Sequence, residues 1–137
     1  MSLFVDSSAW YAAADRDDRS NGRAKEVLSA GEALVTTDHV LVETWLLVNR
    51  RLGRGPAERM WGALREGVAT IEPVIAADLD VAWDIGMRFP DQDFSLVDRT
   101  CFAVMQRIGV LRAATFDDDF AVFRFGPRLR SAFVVVR

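Results

Sequence analysis

Imidazole and thiol are almost missing from this chain, whose 137 residues include one histidine, His39, and one cysteine, Cys101. A single thiol closes no internal disulfide, and one thiol with one imidazole makes no zinc set. Nucleophile systems that pair Ser or Cys with His, and nucleases built on a His pair, need imidazole at the reaction centre. His39 stands beside Asp38 at an expected helix start, where a solvated or locally bonded ring is the expected state. Lysine is scarce too: of 17 basic residues, all but Lys25 are arginine. No glycine-rich loop runs into Lys-Ser or Lys-Thr, which excludes a P-loop nucleotide enzyme. No apolar run approaches the ~18 residues of a membrane helix. The start, Met1 to Asp6, has no basic leader. A cytoplasmic protein with no membrane partner is expected.

With half its residues apolar, the chain can bury one core but is too short for two ordinary domains, so residues 1–137 are read as a single domain. Net charge is −3 and the pI about 5.1, which argues against a nucleic-acid partner unless the acids are gathered in one place. The arginines point the other way, because guanidinium grips phosphate in a bidentate fork.

Apolar runs and helical periodicities alternate along the chain. Strands are expected at 3–5, 33–36, 68–74, 110–115 and 132–136. Helices are expected from Ser7 to Ala14 and over 19–30, 38–52, 57–66, 76–87, 95–108 and 117–123. Met60, Trp61 and Leu64 should face inward on one helix, and Leu79, Ala82 and Trp83 on another. Pro73 suggests that the third strand lies at an edge. The alternation implies an α/β fold, a three-layer α/β/α sandwich with a mostly parallel central sheet.

Ligands bind outside the carboxyl ends of such strands, and two acids fall there: Asp6 after the first strand and Asp117 after the fourth. Each could equally be a helix-capping acid. Glu43 has Val40, Leu46 and Leu47 as helix neighbours, so either an arginine answers it or it joins a shared site. Asp98 is flanked by Phe94, Cys101 and Phe102, yet Ser95-Leu96-Val97-Asp98 also fits a capping box. Four converging carboxylates would repel each other without a cation, and hard oxygen ligands select Mg²⁺ or Mn²⁺. Phosphodiester hydrolysis is the natural reaction of such a centre. An aspartyl-phosphate phosphatase would need a second acid two positions after Asp6, where Ser8 stands.

Four segments, taken in order, resemble the PIN-domain nucleases and specifically the VapC toxins of bacterial toxin–antitoxin pairs. They are Val5-Asp6-Ser7-Ser8-Ala9, Glu43 within its helix, Ser95-Leu96-Val97-Asp98, and Ala114-Thr115-Phe116-Asp117-Asp118-Asp119-Phe120. The resemblance spans essentially the whole chain. It implies an endoribonuclease dependent on Mg²⁺, with Mn²⁺ able to substitute, that forms a homodimer and is inhibited by a cognate antitoxin. By that resemblance Asp6, Glu43, Asp98 and Asp117 are the catalytic and metal-binding acids. Asp119 is a further metal ligand, and Asp118 a solvated residue. Ser8 and Thr115 are expected as polar helpers near the substrate, and Arg99, Arg50, Arg51 and Arg54 are candidate phosphate contacts, each with a solvated helix face as the alternative. The four tryptophans divide between core packing and a dimer or antitoxin surface. A catalytically silent binding module and a related DNase are the competing readings.

Overall fold

The computed structural model describes residues 2–137, so the reading of Met1 lies outside it. The elements follow as β1 (Ser2–Val5), α1 (Ser7–Ala14), α2 (Asn21–Leu28), β2 (Ala33–Thr37), α3 (Asp38–Leu52), α4 (Arg54–Arg65), β3 (Thr70–Glu72), α5 (Ala76–Arg88), α6 (Leu96–Ile108), β4 (Arg112–Ala114), α7 (Asp119–Val122) and β5 (Val134–Val136). The five strands form one sheet in the order β3-β2-β1-β4-β5, and every pairing is parallel. Helices flank this sheet, giving the expected α/β architecture.

β1 is central, and its Leu3, Phe4 and Val5 are fully buried without any polar alternation. A parallel strand covered on both faces reads as such a continuous apolar run. β3 is an edge strand, as Pro73 suggested. Among the described residues no helix is long and apolar enough to cross a membrane.

Several boundaries differ from the expectation for local reasons. α4 starts at Arg54, not residue 57, because Gly53 (φ 101°) turns the chain sharply between α3 and α4. Pro56 is tolerated inside α4 because first-turn amides have no helical partner to lose. α7 starts at Asp119 instead of Asp117, since the Asp117 carboxylate accepts from the Asp119 amide at 2.9 Å and forms its own turn. The third, fourth and fifth strands are each three residues long, shorter than their apolar runs.

On α4 Leu64 is buried and Met60 packs on the core as expected, and on α5 Ala82 is buried, but other residues of the expected faces are not. Trp61, Leu79 and Trp83 are exposed; the buried face of α5 is Asp78, Ala82 and Ile85. Asp78 enters the interior because Arg107 of α6 answers it through Nε at 2.9 Å and Nη2 at 3.0 Å. That bidentate pair holds the Asp78 carboxyl below its usual range despite burial, which pushes the other way.

Phenylalanines bind the far part of the sheet together. Phe102 of α6 stacks on Phe123 at 4.4 Å and meets Phe120 of α7 edge-on at 5.0 Å. Phe133, just before β5, lies 5.8 Å from both Phe102 and Phe123. Aromatic burial of this kind fixes α6 and α7 relative to each other.

Candidate active site

From β1 the chain moves outward through β2 to β3, then returns to add β4 and β5 on the other side of β1. The strand order therefore reverses between β1 and β4, and the crevice beyond their carboxyl ends is where such sheets bind ligands. Asp6 leaves β1 at that point, and Thr115 to Asp119 leave β4.

Asp6 is 4% exposed and serves as the N-cap of α1. Its Oδ1 accepts from the Ala9 amide at 3.2 Å and the Ser8 hydroxyl at 2.7 Å, while Oδ2 accepts from the Thr115 hydroxyl at 2.8 Å. Ser8 Oγ in turn accepts from the Phe116 amide, and Thr115 Oγ1 from the Asp117 amide, both at 2.9 Å. Two hydroxyls thus tie the ends of β1 and β4 into one polar network. Burial raises the Asp6 carboxyl to about 6 against these hydrogen bonds, and the charge of Asp117 adds to the rise.

Asp98 is both a cap and a site residue. Ser95 Oγ accepts from the Asp98 amide at 3.0 Å, and Asp98 Oδ2 accepts from the Ser95 amide at 3.3 Å, completing the capping box of α6. The same carboxylate comes together with Asp117 and Asp119: one oxygen from each lies within 4.8 Å of the others. Burial, followed by the charge of Asp117, pushes Asp98 up to about 7, and the same two causes raise Asp119.

The expected acids meet only in part. Asp6 and Glu43 stand outside the close trio, Asp6 because both its oxygens are turned to Ser8 and Thr115. The charge of Asp6 still reaches Asp98. Glu43 accepts a 2.5 Å hydrogen bond from Ser7, a partner that sequence reasoning did not assign, although Ser7 directly follows Asp6. The stripe around Glu43 runs from core to surface, with Val40 buried and Leu46 58% exposed, so Glu43 is half-buried and needs no buried salt bridge. Among the described residues none of Asp6, Glu43, Asp98, Asp117 and Asp119 forms an ion pair with Arg or Lys.

Uncompensated carboxylates at this spacing, offering only hard oxygen donors, fit a divalent cation. Cys101, buried one turn beyond Asp98, has its thiol pushed well up by burial and the surrounding acids, so it supplies no thiolate.

The candidate arginines are placed differently from one another. Arg99 reaches back to α5, with Nη1 3.4 Å from the Ala82 carbonyl and packed against Gly86, where a Cβ would collide with it. Arg54 pairs with Glu58 at 3.4 Å. Arg50 lines a groove shared with His39 and Glu43. Arg51 lies over the Tyr11 ring, 5.2 Å from its centroid. Asp118 is solvent-facing as expected, paired with Arg137 at 2.9 Å.

Comparison with known proteins gives a consistent result. The PIN domain matches residues 3–126. The 23S rRNA-specific endonuclease VapC20 of Mycobacterium tuberculosis, found in two strains, is 37% identical over 124 residues, which cover 90% of this chain and 95% of that protein. The crystal structure of M. tuberculosis VapC20, described as a sarcin-ricin loop cleaving toxin, superposes with a TM-score of 0.84 at 36% identity. That match covers 88% of this chain and 93% of the other.

Proposed function

The chain belongs to the PIN domain family, and from that membership we propose that it is a divalent-metal-dependent endoribonuclease, the toxin of a toxin–antitoxin pair. The observation that carries this reading is the approach of Asp98, Asp117 and Asp119 within 4.8 Å at the point where the strand order reverses. These three residues hold the cation, Mg²⁺ with Mn²⁺ as a substitute, and Asp6 and Glu43 complete the acidic crevice. A bound divalent ion supplies neutralisation of charge growing on the phosphoryl group and a more acidic water.

The chain's own groups supply orientation. Ser8 and Thr115 hold Asp6 by both oxygens, and Ser7 donates to Glu43, which orients both carboxylates at the crevice. The α6 capping box fixes Asp98 through the backbone. With its carboxyl at about 7, Asp98 exchanges protons near neutral pH when no cation is bound.

The relatives' target, the sarcin-ricin loop of 23S rRNA, is the proposed substrate. An apolar groove lined by Leu41, Val42, Trp45, Leu46 and Trp61 supports the cognate antitoxin as a partner, because exposed apolar grooves of this kind mark protein contacts. A homodimer, a cytoplasmic setting and a single domain over 1–137 belong to the same proposal.

The test is direct. Purified protein incubated with 23S rRNA should give a discrete cut in Mg²⁺ or Mn²⁺ and none with excess chelator. Undiminished cutting in chelator, or by the Asp98→Asn variant, would overturn the proposal.

A further inference from the structure

Two depressions flank α3 beside the acids, and Leu47 lines both. One contains Glu43 and Arg50. The other, about 270 Å³ in volume, is bordered by Ser8, Tyr11, Asp18, Arg19, Arg51 and Phe116. Ser8 and Phe116 also belong to the network that holds Asp6, so this cleft adjoins the end of the acidic crevice. We propose that the cleft is a backbone-phosphate subsite, in which Arg51 and Arg19 grip the RNA strand next to the bond being cut. The proposal rests on the nuclease reading and adds to it the residues that hold the substrate.

The cleft is assembled so that its cations stay available. Tyr11 is buried in a satellite cluster with Val48 and Ala57, and its hydroxyl donates to Asp15 Oδ2 at 2.8 Å. That fixes the ring on which the Arg51 guanidinium rests, a cation–π contact that orders a long side chain before any ligand arrives. The nearby acids are turned into local loop contacts, Asp18 Oδ1 accepting from the Ser20 amide at 2.7 Å and Asp15 Oδ1 from the Asp17 amide at 3.0 Å, and keep their charge. Among the described residues neither Arg19 nor Arg51 has a carboxylate partner.

The spacing suits a strand crossing the site. Glu43, Leu47 and Arg51 follow at four-residue intervals on one face of α3, so acid and cation are separated by about 12 Å along the helix axis. Phosphates on either side of the cleavage point would be repelled by the acids, and a positioned guanidinium at that distance offsets the repulsion in bidentate fashion. Tyr11 acts here as a positioning residue and Arg51 as the binding residue.

The experiment measures fluorescence anisotropy of a short labelled single-stranded RNA in the Asp98→Asn background, where the RNA stays intact, across a series of salt concentrations. Arg51→Ala should weaken binding about tenfold and lower the slope of log K against log salt by about 0.7, the value for one lost phosphate contact on a single strand. Arg51→Lys should restore the slope while recovering only part of the affinity. Arg19→Ala should shift both readouts the same way by less, and Arg128→Ala, away from the cleft, should shift neither. An Arg51→Ala protein with wild-type slope and affinity overturns the proposal, as does loss of a protein partner's binding with RNA binding intact. Cleavage by the unmutated protein is scored separately, so failure of the nuclease reading is distinguishable from failure of the subsite.

Discussion

Thr115 donates its hydroxyl hydrogen to Asp6 across 2.8 Å, joining two strand ends that are 109 positions apart in the chain. Both residues are almost completely buried, and so is the bond. Replacing Thr115 with Val preserves shape but strands one carboxylate oxygen, at a cost of about 1–3 kcal/mol. Thr115→Val should therefore lower the midpoint of urea unfolding and slow cleavage, and Thr115→Ser should recover most of both.

Asp98→Asn separates charge from shape. The variant should lose RNA cleavage, and Mn²⁺ should no longer raise its melting temperature. In chelator at pH 8 it should melt above the wild type, because it lacks a carboxylate whose ionised form is disfavoured by burial and then by the charge of Asp117. A lower melting temperature there would show that the capping box outweighs the repulsion.

The same electrostatics sets a pH dependence. Asp6 and Asp98 are raised from 3.8 to about 6 and about 7, so the folded chain holds protons that the unfolded chain has already released. Stability from this source is complete below about pH 4 and is lost as pH rises through 6 to 7. Metal-free protein should accordingly melt several degrees lower at pH 8 than at pH 5 as far as these groups contribute. Saturating Mn²⁺ should shrink or reverse the difference. Melting curves in chelator and in Mn²⁺ across that range test both statements.

Asp78 offers a prediction outside the site. It is 2% exposed and held by Arg107, so Asp78→Ala leaves a guanidinium without its partner and removes the cap on the Ile75 amide. A loss of about 1–3 kcal/mol is expected, since the Arg107 guanidinium left behind is partly open to water, with Mn²⁺ binding to the refolded protein unchanged. Chemical denaturation and calorimetry would measure the two effects.

Much of the site was legible because its residues violate local rules. Asp6 closes an apolar strand, and Asp98 sits among Phe94, Cys101 and Phe102. The order and type of the elements were legible from periodicity alone. The reach of each side chain was not. Nothing in the spacing says that Asp6 spends both oxygens on Ser8 and Thr115, or that Arg99 turns back to α5. Asp78 shows the same limit in the fold. An acid on a helix reads as a surface residue, and Arg107, 29 positions away, answers it inside while Leu79 and Trp83 face outward. Asp119 joins Asp98 and Asp117 because the Asp117 carboxylate turns the chain into α7.

Phe102 stacks on Phe123 and meets Phe120 edge-on, so these rings help to clamp the helix carrying Asp98 to the short one carrying Asp119. The proposed toxin activity depends on this aromatic packing as much as on the acids. Cells selected to survive this protein should yield escape alleles at these rings as well as at the carboxylates, and those with the mildest trims, such as Phe→Leu, should kill in the cold and spare in the heat.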